Sequence, residues 1–426
     1  MIVYLICYAA SWIFARFGLY YLSGAALFLA AGYLYVYDYR RSGNLIHLRG
    51  LFSCFWVGGQ GAACLKLSKL QTDWALQTWI CFFLALVGFW ITFEVLDRLM
   101  GGNERFTMNR YRQRSTVRPL FFCIVGLTVI SAAAFVTEAA VLGFIPVLVR
   151  GVPHAYSAFH MTGLHYVTVS CVLIPAMTVL YFEQGGSRSG RKNGLIVLCT
   201  LVSIAIPILC VSRFQLVFAV ILAVFTFCAS QKNVSPWLFV AAVVALIPCY
   251  VLLTVARSHD VTYLNGIFEM KNSRMPIFVS QPYIYIANNY ENFDCLVKAL
   301  PAHTWGIRML FPVWALTGLK FLYPYLVSFP IYVDKTELTT VTLIYDAYYD
   351  FGIIGVLVFA CILGAVCFFL VEKLREMQNP MGYLFYGQMA IYMMLSFFTT
   401  WFSNPTTWFY FLVTAVLTFY CSVSRR

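Results

Sequence analysis

The sequence predicts an all-α polytopic membrane protein, and two features of its composition support that prediction. Of its 426 residues, 61% are apolar and only 11% are charged, with a mean hydropathy of +0.78. A soluble domain has about 25% charged residues. The apolar residues are also grouped into runs of about 20, the length that a helix needs to cross the hydrocarbon core of a bilayer.

Twelve such runs follow one another, and together they predict a single integral membrane domain over residues 1–426. The first run is short, so eleven spans result if it is only partly inserted. The predicted spans are 2–15, 18–37, 50–66, 74–97, 119–146, 161–182, 194–211, 214–230, 236–256, 353–371, 384–401 and 406–423.

The short connectors carry an uneven distribution of positive charge, which sets the predicted orientation. Because Lys and Arg in short loops stay in the cytoplasm, the connectors that hold most of them define the cytoplasmic face, and both termini are predicted to lie there. The net charge of +12 is mostly this orientation signal, so it does not indicate a nucleic acid partner. Of the 29 Lys and Arg residues, 17 lie in 38–49, 98–118, 183–193, 231–235, 372–383 and 424–426.

One long segment, residues 257–352, lies between the ninth and tenth predicted spans and forms a large outer-face loop. Its middle part, 305–333, is apolar and aromatic and is interrupted by Pro312, Pro324 and Pro330. Such a stretch favours interfacial or re-entrant helices at the membrane surface. A loop of this kind indicates a substrate that itself lies at the membrane surface.

The sequence contains no motif for a metal or a nucleotide, and we predict no cofactor. The fourteen cysteines include no CxxC pair, and there is no Walker, GxGxxG or GxSxG pattern. The histidines of "RGVPHAYSAFHMTGLHY" (150–166) are not spaced like the i, i+4 pair of a zinc helix. His165 is instead a candidate base, because a neutral imidazole can accept a hydroxyl proton. Glu138, in the fifth predicted span, is either a paired structural acid or a site residue.

Arg213 stands alone between two apolar runs in "ILCVSRFQLVFAV" (208–220), at the outer end of two predicted spans. One interpretation is a snorkelling side chain that marks a helix end. The other is an anion site, since Arg makes bidentate hydrogen bonds to phosphate and stays charged when partly buried. Arg257 ends the ninth predicted span at the same depth, and Arg274 follows in the outer loop. If these arginines converge, they form a site for a doubly charged group such as a lipid diphosphate.

Asp346 and Asp350 stand directly before the tenth predicted span, in "TVTLIYDAYYDFGIIGVLVFACILG" (340–364). Ionisable side chains at the end of a span are functional candidates. The alternative for Asp350 is a helix cap, because a helix that starts near Gly352 has free backbone N–H groups. Arg308 is a further ionisable residue on the outer side, and the sequence gives it no role. The glycines of this stretch are predicted to serve helix packing: Gly352, Gly355 and Gly364.

With these features in order, the chain resembles the Wzy-type polymerases of oligosaccharide repeat units in bacterial surface polysaccharide synthesis. Three stretches carry the resemblance: "GFIPVLVRGVPHAYSAF" (143–159), "VSRFQLVFAVIL" (211–222) and "YYDFGIIGVLVFACILG" (348–364). The resemblance implies a Wzy-like, GT-C-like architecture in the bacterial inner membrane. It also implies a substrate, an undecaprenyl-diphosphate-linked oligosaccharide, and a co-polymerase that sets chain length as a partner.

The reaction implied by the resemblance moves the growing O-antigen or capsule chain from its lipid diphosphate to the terminal sugar of a new repeat unit. Arg213 and Arg257 look like the outer-face arginines of the family, and whether Arg150 fills a similar role is open. "DFGIIG" (350–355) looks like the family's helix start. On this reading, the sugar side of the site holds Asp346, Asp350, Tyr345 and Tyr349. The base is not assigned among the two carboxylates and His165.

Two other classes of protein fit the sequence less well: another outer-face glycosyl transfer enzyme, either a ligase or a GT-C transferase, and a transporter. An O-antigen ligase carries a His before a similar Gly-containing helix, and "LTTVTLIYDAYYDFG" (338–352) has none. A lipid-linked GT-C transferase often has an acidic pair in the first outer loop, and none is present. A flippase or other transporter would have charges at the centres of several spans and repeat symmetry. The sequence therefore favours a glycosyltransferase of the polymerase type.

Overall fold

The computed structural model describes residues 1–100, 117–149, 155–231, 237, 261–272, 274–375 and 377–423. Every regular element in these ranges is helical, as predicted, and the only β contact is an isolated bridge between Ser68 and Met270. The predicted span at 236–256 and most of the connector at 98–118 lie outside the described residues.

The helices in the first part of the chain are α1 (Ile2–Arg16), α2 (Tyr20–Ser42), α3 (Leu48–Cys64), α4 (Leu76–Met100), α5 (Val117–Leu142), α6 (Ala155–Ala158), α7 (Leu164–Val169), α8 (Ile174–Glu183), α9 (Gly190–Leu209) and α10 (Arg213–Ser230). Those that follow are α11 (Val261–Phe268), α12 (Ile277–Ala299), α13 (Phe311–Leu316), α14 (Leu319–Leu322), α15 (Tyr345–Arg375), α16 (Met381–Met394) and α17 (Pro405–Val423).

Within the described residues, seven helices are long and apolar enough to cross a bilayer, against the twelve apolar runs of the sequence. Of the five runs that are not among these seven, one lies outside the described residues, and α1, α3 and α16 have only 15, 17 and 14 residues. Helix α2 is long enough, but its six tyrosines and the charged residues at its end lower its mean hydropathy. The chain is thus a multi-pass helical membrane protein. The seven are α4, α5, the continuous run Leu164–Glu183 that contains α7 and α8, α9, α10, α15 and α17.

The chain divides into two compact units. Unit 1 consists of Met1–Phe106, Asp260–Glu372 and Tyr392–Thr407, and unit 2 consists of Thr107–His259, Lys373–Ile391 and Trp408–Arg426.

Glycines bring the helices of unit 1 close together. A Cβ on Gly24 of α2 would lie 2.8 Å from the carbonyl oxygen of Gly61 in α3. Likewise, a Cβ on Gly364 of α15 would lie 2.5 Å from the carbonyl oxygen of Phe89 in α4. Small residues at such crossings allow the backbones to approach. Gly364 therefore has the helix-packing role that the sequence predicts.

Helix α12 is a 23-residue element inside the segment that the sequence describes as an outer loop. Its buried acids hold the connector between α3 and α4. Glu291 pairs with Lys66 Nζ at 2.8 Å and accepts a hydrogen bond from Trp74 Nε1, also at 2.8 Å. Asp294 accepts hydrogen bonds from the backbone N–H of Ala75 and from the Thr78 hydroxyl. The polar residues of α12 resemble a loop in the sequence because their partners are far away in the chain.

An ion-pair network joins the carboxyl-terminal ends of α2 and α4 in unit 1. Arg49, at the start of α3, donates from Nε and Nη2 to Asp38 and from Nη1 to Glu94 at 2.8 Å. Arg41 donates to Glu94 and, at 2.6 Å, to Asp97. These bonds bring the connector 38–49 and the end of α4 together.

Unit 2 contains α5, α9, α10, the run Leu164–Glu183 and parts of α16 and α17, with short polar links between helices. Ser131 of α5 and Ser170 share a hydrogen bond of 3.1 Å. The Tyr410 hydroxyl donates to the carbonyl oxygen of Val169, and Gln388 donates to the Thr414 hydroxyl. Buried hydroxyl and amide pairs of this kind satisfy polar groups within apolar helices.

Candidate functional site

The amino-terminal part of α15 differs from the predicted helix start. The helix begins at Tyr345, and Gly352 interrupts it with φ 62° and ψ −147°. This backbone region is essentially restricted to glycine. A Cβ on Gly352 would also lie 3.0 Å from Nε2 of His303. Asp346 and Asp350 therefore lie inside the first two turns of α15, before the interruption.

Asp350 caps a turn of the outer segment and not the helix that follows Gly352. Its carboxylate accepts hydrogen bonds from the Thr304 hydroxyl, from the Arg308 N–H at 3.2 Å and from the Met309 N–H at 2.7 Å. Asp350 is fully buried. The carboxylate therefore fixes the turn 304–309 against α15, which positions the Arg308 side chain.

Arg308 forms an ion pair with Asp346, between Nε and Oδ1. Its guanidinium carbon lies 4.5 Å from the centre of the Tyr349 ring and 5.3 Å from that of Tyr345. Burial opposes the positive charge, but the Asp346 carboxylate and the two tyrosines outweigh burial and raise the pKa of Arg308 above its ordinary value. The guanidinium is therefore a permanent cation held over two aromatic faces.

The two tyrosines that were predicted to contact sugar are both buried. The Tyr345 hydroxyl donates to the Tyr332 carbonyl oxygen at 2.9 Å and accepts from the Tyr332 N–H at 2.8 Å. The ring of Tyr349 lies between Arg308 and the rings of Phe329 and Tyr332. In this structure both rings support the cation.

A pocket of about 360 Å³ opens beside the Arg308–Asp346 pair. Phe329 and Ile331 form an apolar part of its wall. The segment before α17 supplies hydroxyl and amide groups from Thr399, Thr400, Ser403 and Asn404. The pocket thus combines one cation, one carboxylate, apolar surface and several neutral hydrogen-bonding groups.

Helix α12 positions the chain segments near this pocket. The Asn292 amide donates to the carbonyl oxygens of Leu338 and Thr340 at 2.7 and 2.8 Å, and its oxygen accepts from the Asp334 N–H. Asn289 donates to the Phe397 carbonyl oxygen at 2.8 Å. Because both amides are buried, they fix the segments that lead into α15 and into the Thr399–Asn404 stretch.

The predicted diphosphate-binding arginines are not gathered at this pocket by the described part of the chain. Arg274 is an exposed residue of unit 1, in a turn where its N–H bonds to the Asn272 side chain. Arg213 is the buried first residue of α10 in unit 2. Arg150 and Arg257 lie outside the described residues.

His165 is placed in unit 2, beside Glu138. Its Nδ1 lies 3.2 and 3.3 Å from the two carboxylate oxygens. Glu138 also accepts from the Thr168 hydroxyl at 2.7 Å and from the Met161 N–H at 3.1 Å. Glu138 therefore has the pairing that one of its two readings predicts, and it ties residues 161–168 to α5.

Sequence reasoning missed two parts of the pocket. Arg308 stands out in the sequence as an ionisable residue, but its partner Asp346 lies 38 residues away, beyond a segment interrupted by prolines. The stretch Thr399–Asn404 gave no signal, because single hydroxyl and amide residues at a span end are common. His303 was also unassigned, and the fold places it against Gly352.

Within the residues that the structure describes, no three His, Cys, Asp or Glu side chains are grouped closely enough to hold a metal ion. No family model, no curated protein and no solved structure matches the chain. What can be said of function therefore rests on the residues and geometry of the protein itself.

Proposed function

We propose that the protein is a polymerase of lipid-linked oligosaccharide repeat units, acting at the outer face of a bacterial inner membrane with both termini in the cytoplasm. The observation that supports this most is the Arg308–Asp346 pair beside a pocket lined by Thr399, Thr400, Ser403 and Asn404. A guanidinium fits a diphosphate, and neutral hydroxyl and amide groups fit sugar hydroxyls. The sequence resemblance supports the same reading.

In the proposed reaction, a hydroxyl of the acceptor sugar attacks the anomeric carbon of the donor glycan. The new bond joins that oxygen to the anomeric carbon, and the bond from the anomeric carbon to the diphosphate oxygen breaks. The undecaprenyl diphosphate leaves with the electron pair, and a base takes the hydroxyl proton. No nucleotide is consumed, because the diphosphate already activates the donor.

Arg308 is the residue that we assign to the charge on the departing diphosphate, since a fixed cation in a partly buried site stabilises developing charge strongly. Asp346 accepts from Nε of the same guanidinium, lines the same pocket and is the candidate base. Asp350 acts through the turn 304–309 and is a positioning residue. The rings of Tyr345 and Tyr349 pack against the guanidinium.

The arginines predicted from the sequence remain part of the proposal as further contacts to the lipid diphosphates of donor and acceptor. A reaction between two lipid-linked substrates requires two diphosphate sites, and Arg308 accounts for one. The other candidates are Arg213, Arg257, Arg274 and Arg150. A co-polymerase that sets chain length is the proposed protein partner.

The test is the length of the surface glycan in a strain that lacks this chain, complemented with wild type or with Arg308→Lys. Lysine keeps the charge but loses the planar fork that binds phosphate in a bidentate manner. Wild type should restore a ladder, and Arg308→Lys should leave mainly a single repeat unit. The matched control is Arg188→Lys, at an exposed position of the 183–193 connector, which should restore the ladder. Membrane levels of each protein are measured in parallel, and a ladder in the uncomplemented strain would exclude the polymerase.

One observation favours a ligase as the second candidate. His303 lies beside Gly352, since a Cβ on Gly352 would be 3.0 Å from Nε2 of His303. Nδ1 of His303 lies 3.2 Å from the carbonyl oxygen of Tyr349. The fold thus supplies a histidine near the Gly-containing helix although the stretch 338–352 has none. The two functions differ in what the deletion strain accumulates. A polymerase mutant attaches single repeat units to the surface acceptor, whereas a ligase mutant keeps long chains on undecaprenyl diphosphate.

A further inference from the structure

A second pocket, remote from Arg308 in chain position, lies at the carboxyl-terminal ends of α2 and α4 in unit 1. Its volume is about 670 Å³. The polar residues that line it are Tyr33, Tyr37, Arg40, Arg41, Glu94 and Arg98. Nothing in the proposed glycosyl transfer uses these residues.

The pocket carries excess positive charge. Arg41 is neutralised by Glu94 at 3.3 Å and Asp97 at 2.6 Å. Arg98 reaches Glu94 only at 3.3 Å, and that carboxylate is shared with the buried Arg49. Among the described residues Arg40 has no ion pair, and its side chain is exposed. Two guanidinium groups therefore have hydrogen-bonding capacity for an anion.

The walls of the pocket are aromatic and continue into apolar surface. The rings of Tyr33 and Tyr37 stack with centres 6.5 Å apart, and both are exposed. Leu29 extends the exposed apolar surface along α2, and Ile91 and Val95 extend it along α4. Because α4 is long and apolar enough to span a bilayer, hydrocarbon chains are available at this surface.

We propose that this pocket binds the phosphate of an anionic glycerophospholipid, whose acyl chains lie along the exposed apolar side chains of α2 and α4. Arg40 and Arg98 donate to the phosphate, and the tyrosines lie at headgroup level, where aromatic rings with a polar end are favoured. Basic pockets between helices on the cytoplasmic side are typical sites for anionic headgroups. A zwitterionic lipid offers the same phosphate, but its positively charged ammonium group offsets the negative charge that the pocket attracts.

The experiment uses the full chain, purified in detergent and supplied with phosphatidylglycerol or phosphatidylcholine of matched acyl chains. Native mass spectrometry measures the lipid that stays bound. Wild type should retain phosphatidylglycerol in preference to phosphatidylcholine. Each arginine should contribute about fivefold to that preference, so the double variant Arg40→Gln/Arg98→Gln should lose most of it. The control variant Arg188→Gln/Arg191→Gln removes two exposed arginines from another connector and should keep the preference.

The lipid measurement would overturn the proposal if wild type retained both lipids equally, if the double variant kept the preference, or if the control variant lost it equally. Thermal stabilisation by inorganic phosphate as large as that by phosphatidylglycerol would also overturn it, because it would indicate a site for a free anion. If the double variant does not fold, Arg98→Gln decides the question alone. The Arg98 side chain is 76% exposed, so that variant should fold and still lose about fivefold in preference.

Discussion

Two arginines of unit 1, Arg49 and Arg308, are held in similar ways, but their hydrogen bonds are used differently. Each pairs with an aspartate, Asp38 or Asp346, and each lies over two aromatic rings. Arg49 donates from all three nitrogens to two carboxylates, and its side chain is 2% exposed. Arg308 donates from Nε to Asp346, and its Nη1 reaches the Pro330 carbonyl oxygen only at 3.5 Å.

The comparison shows what separates a structural arginine from a candidate ligand-binding one. Burial, an aspartate partner and aromatic contacts are common to both and do not decide the role. The difference lies in the unused donors. Nη2 of Arg308 makes no hydrogen bond to the described residues, and the Arg308 side chain is 15% exposed and borders a pocket. We therefore expect substitutions of Arg49 to act on stability and substitutions of Arg308 to act on activity.

The largest effect is expected for Arg49→Leu. The substitution leaves the Asp38 carboxylate buried and uncompensated, and breaking a buried pair in this way costs about 3–5 kcal/mol. The measurement is the thermal unfolding midpoint of the purified protein. Arg98→Leu is the matched control, because Arg98 pairs with the same Glu94 from an exposed position and surface pairs contribute about 0–1 kcal/mol. Equal destabilisation by both variants would contradict the structural role of Arg49.

Arg308→Lys should separate activity from stability. Loss of the guanidinium fork removes a donor from the departing diphosphate, which costs about 10²–10³-fold in turnover. The charge opposite Asp346 is kept, so the unfolding midpoint should change much less than in Arg49→Leu. Polymer formation from lipid-linked repeat units in proteoliposomes measures the rate. A variant that loses stability and activity in proportion would make Arg308 a second structural arginine.

Asp350→Asn should have an intermediate effect, and it tests whether this carboxylate positions Arg308. Asparagine has one acceptor oxygen where the carboxylate serves three donors, so at least one N–H or hydroxyl of the turn 304–309 loses its partner, at about 1–3 kcal/mol. Hydrogen exchange at the amides of Arg308 and Met309 should rise. The control is Asp73→Asn, whose carboxylate accepts an exposed hydrogen bond from Tyr20. Unchanged exchange in Asp350→Asn would remove the positioning role.

The smallest effect is expected for Tyr345→Phe. The ring stays under Arg308, and only the hydroxyl that bonds to the Tyr332 backbone is lost, at about 1 kcal/mol. Activity should fall less than tenfold, since the cation keeps its aromatic support. Tyr323→Phe, at an exposed tyrosine, is the stability control. A loss of activity as large as that of Arg308→Lys would give the hydroxyl a direct role with substrate.

The sequence predicts the helical class and two acids before the tenth span, but it predicts the start of that helix near Gly352, and the structure starts it at Tyr345. Low charge and apolar runs sufficed for the helical membrane class, and Asp346 was identified because acids at a span end are rare. One of the two roles predicted for Asp350 is a cap for the helix after Gly352, and the structure gives it a different turn to cap. That difference depends on the positive φ of Gly352 and on a helix start at Tyr345, neither of which residue patterns specify.

Long-range pairs explain the rest of what the sequence did not show. Arg308 meets Asp346 only because the chain between them reverses direction, and Glu291 meets Lys66 from 225 residues away. Such partners leave no local periodicity, so α12 resembled a polar loop. The packing role of Gly364 is predictable because a small residue within an apolar helix indicates a close backbone approach, whichever helix is the partner.

The pairing of Arg308 with Asp346 has a kinetic consequence for the proposed reaction. An incoming anion must share the guanidinium with a carboxylate that belongs to the same chain and never diffuses away. This built-in competitor weakens the binding of substrate and product alike, and it regains its full hydrogen bond each time the diphosphate departs. A site arranged in this way holds its ligands briefly and favours repeated cycles over tight occupancy.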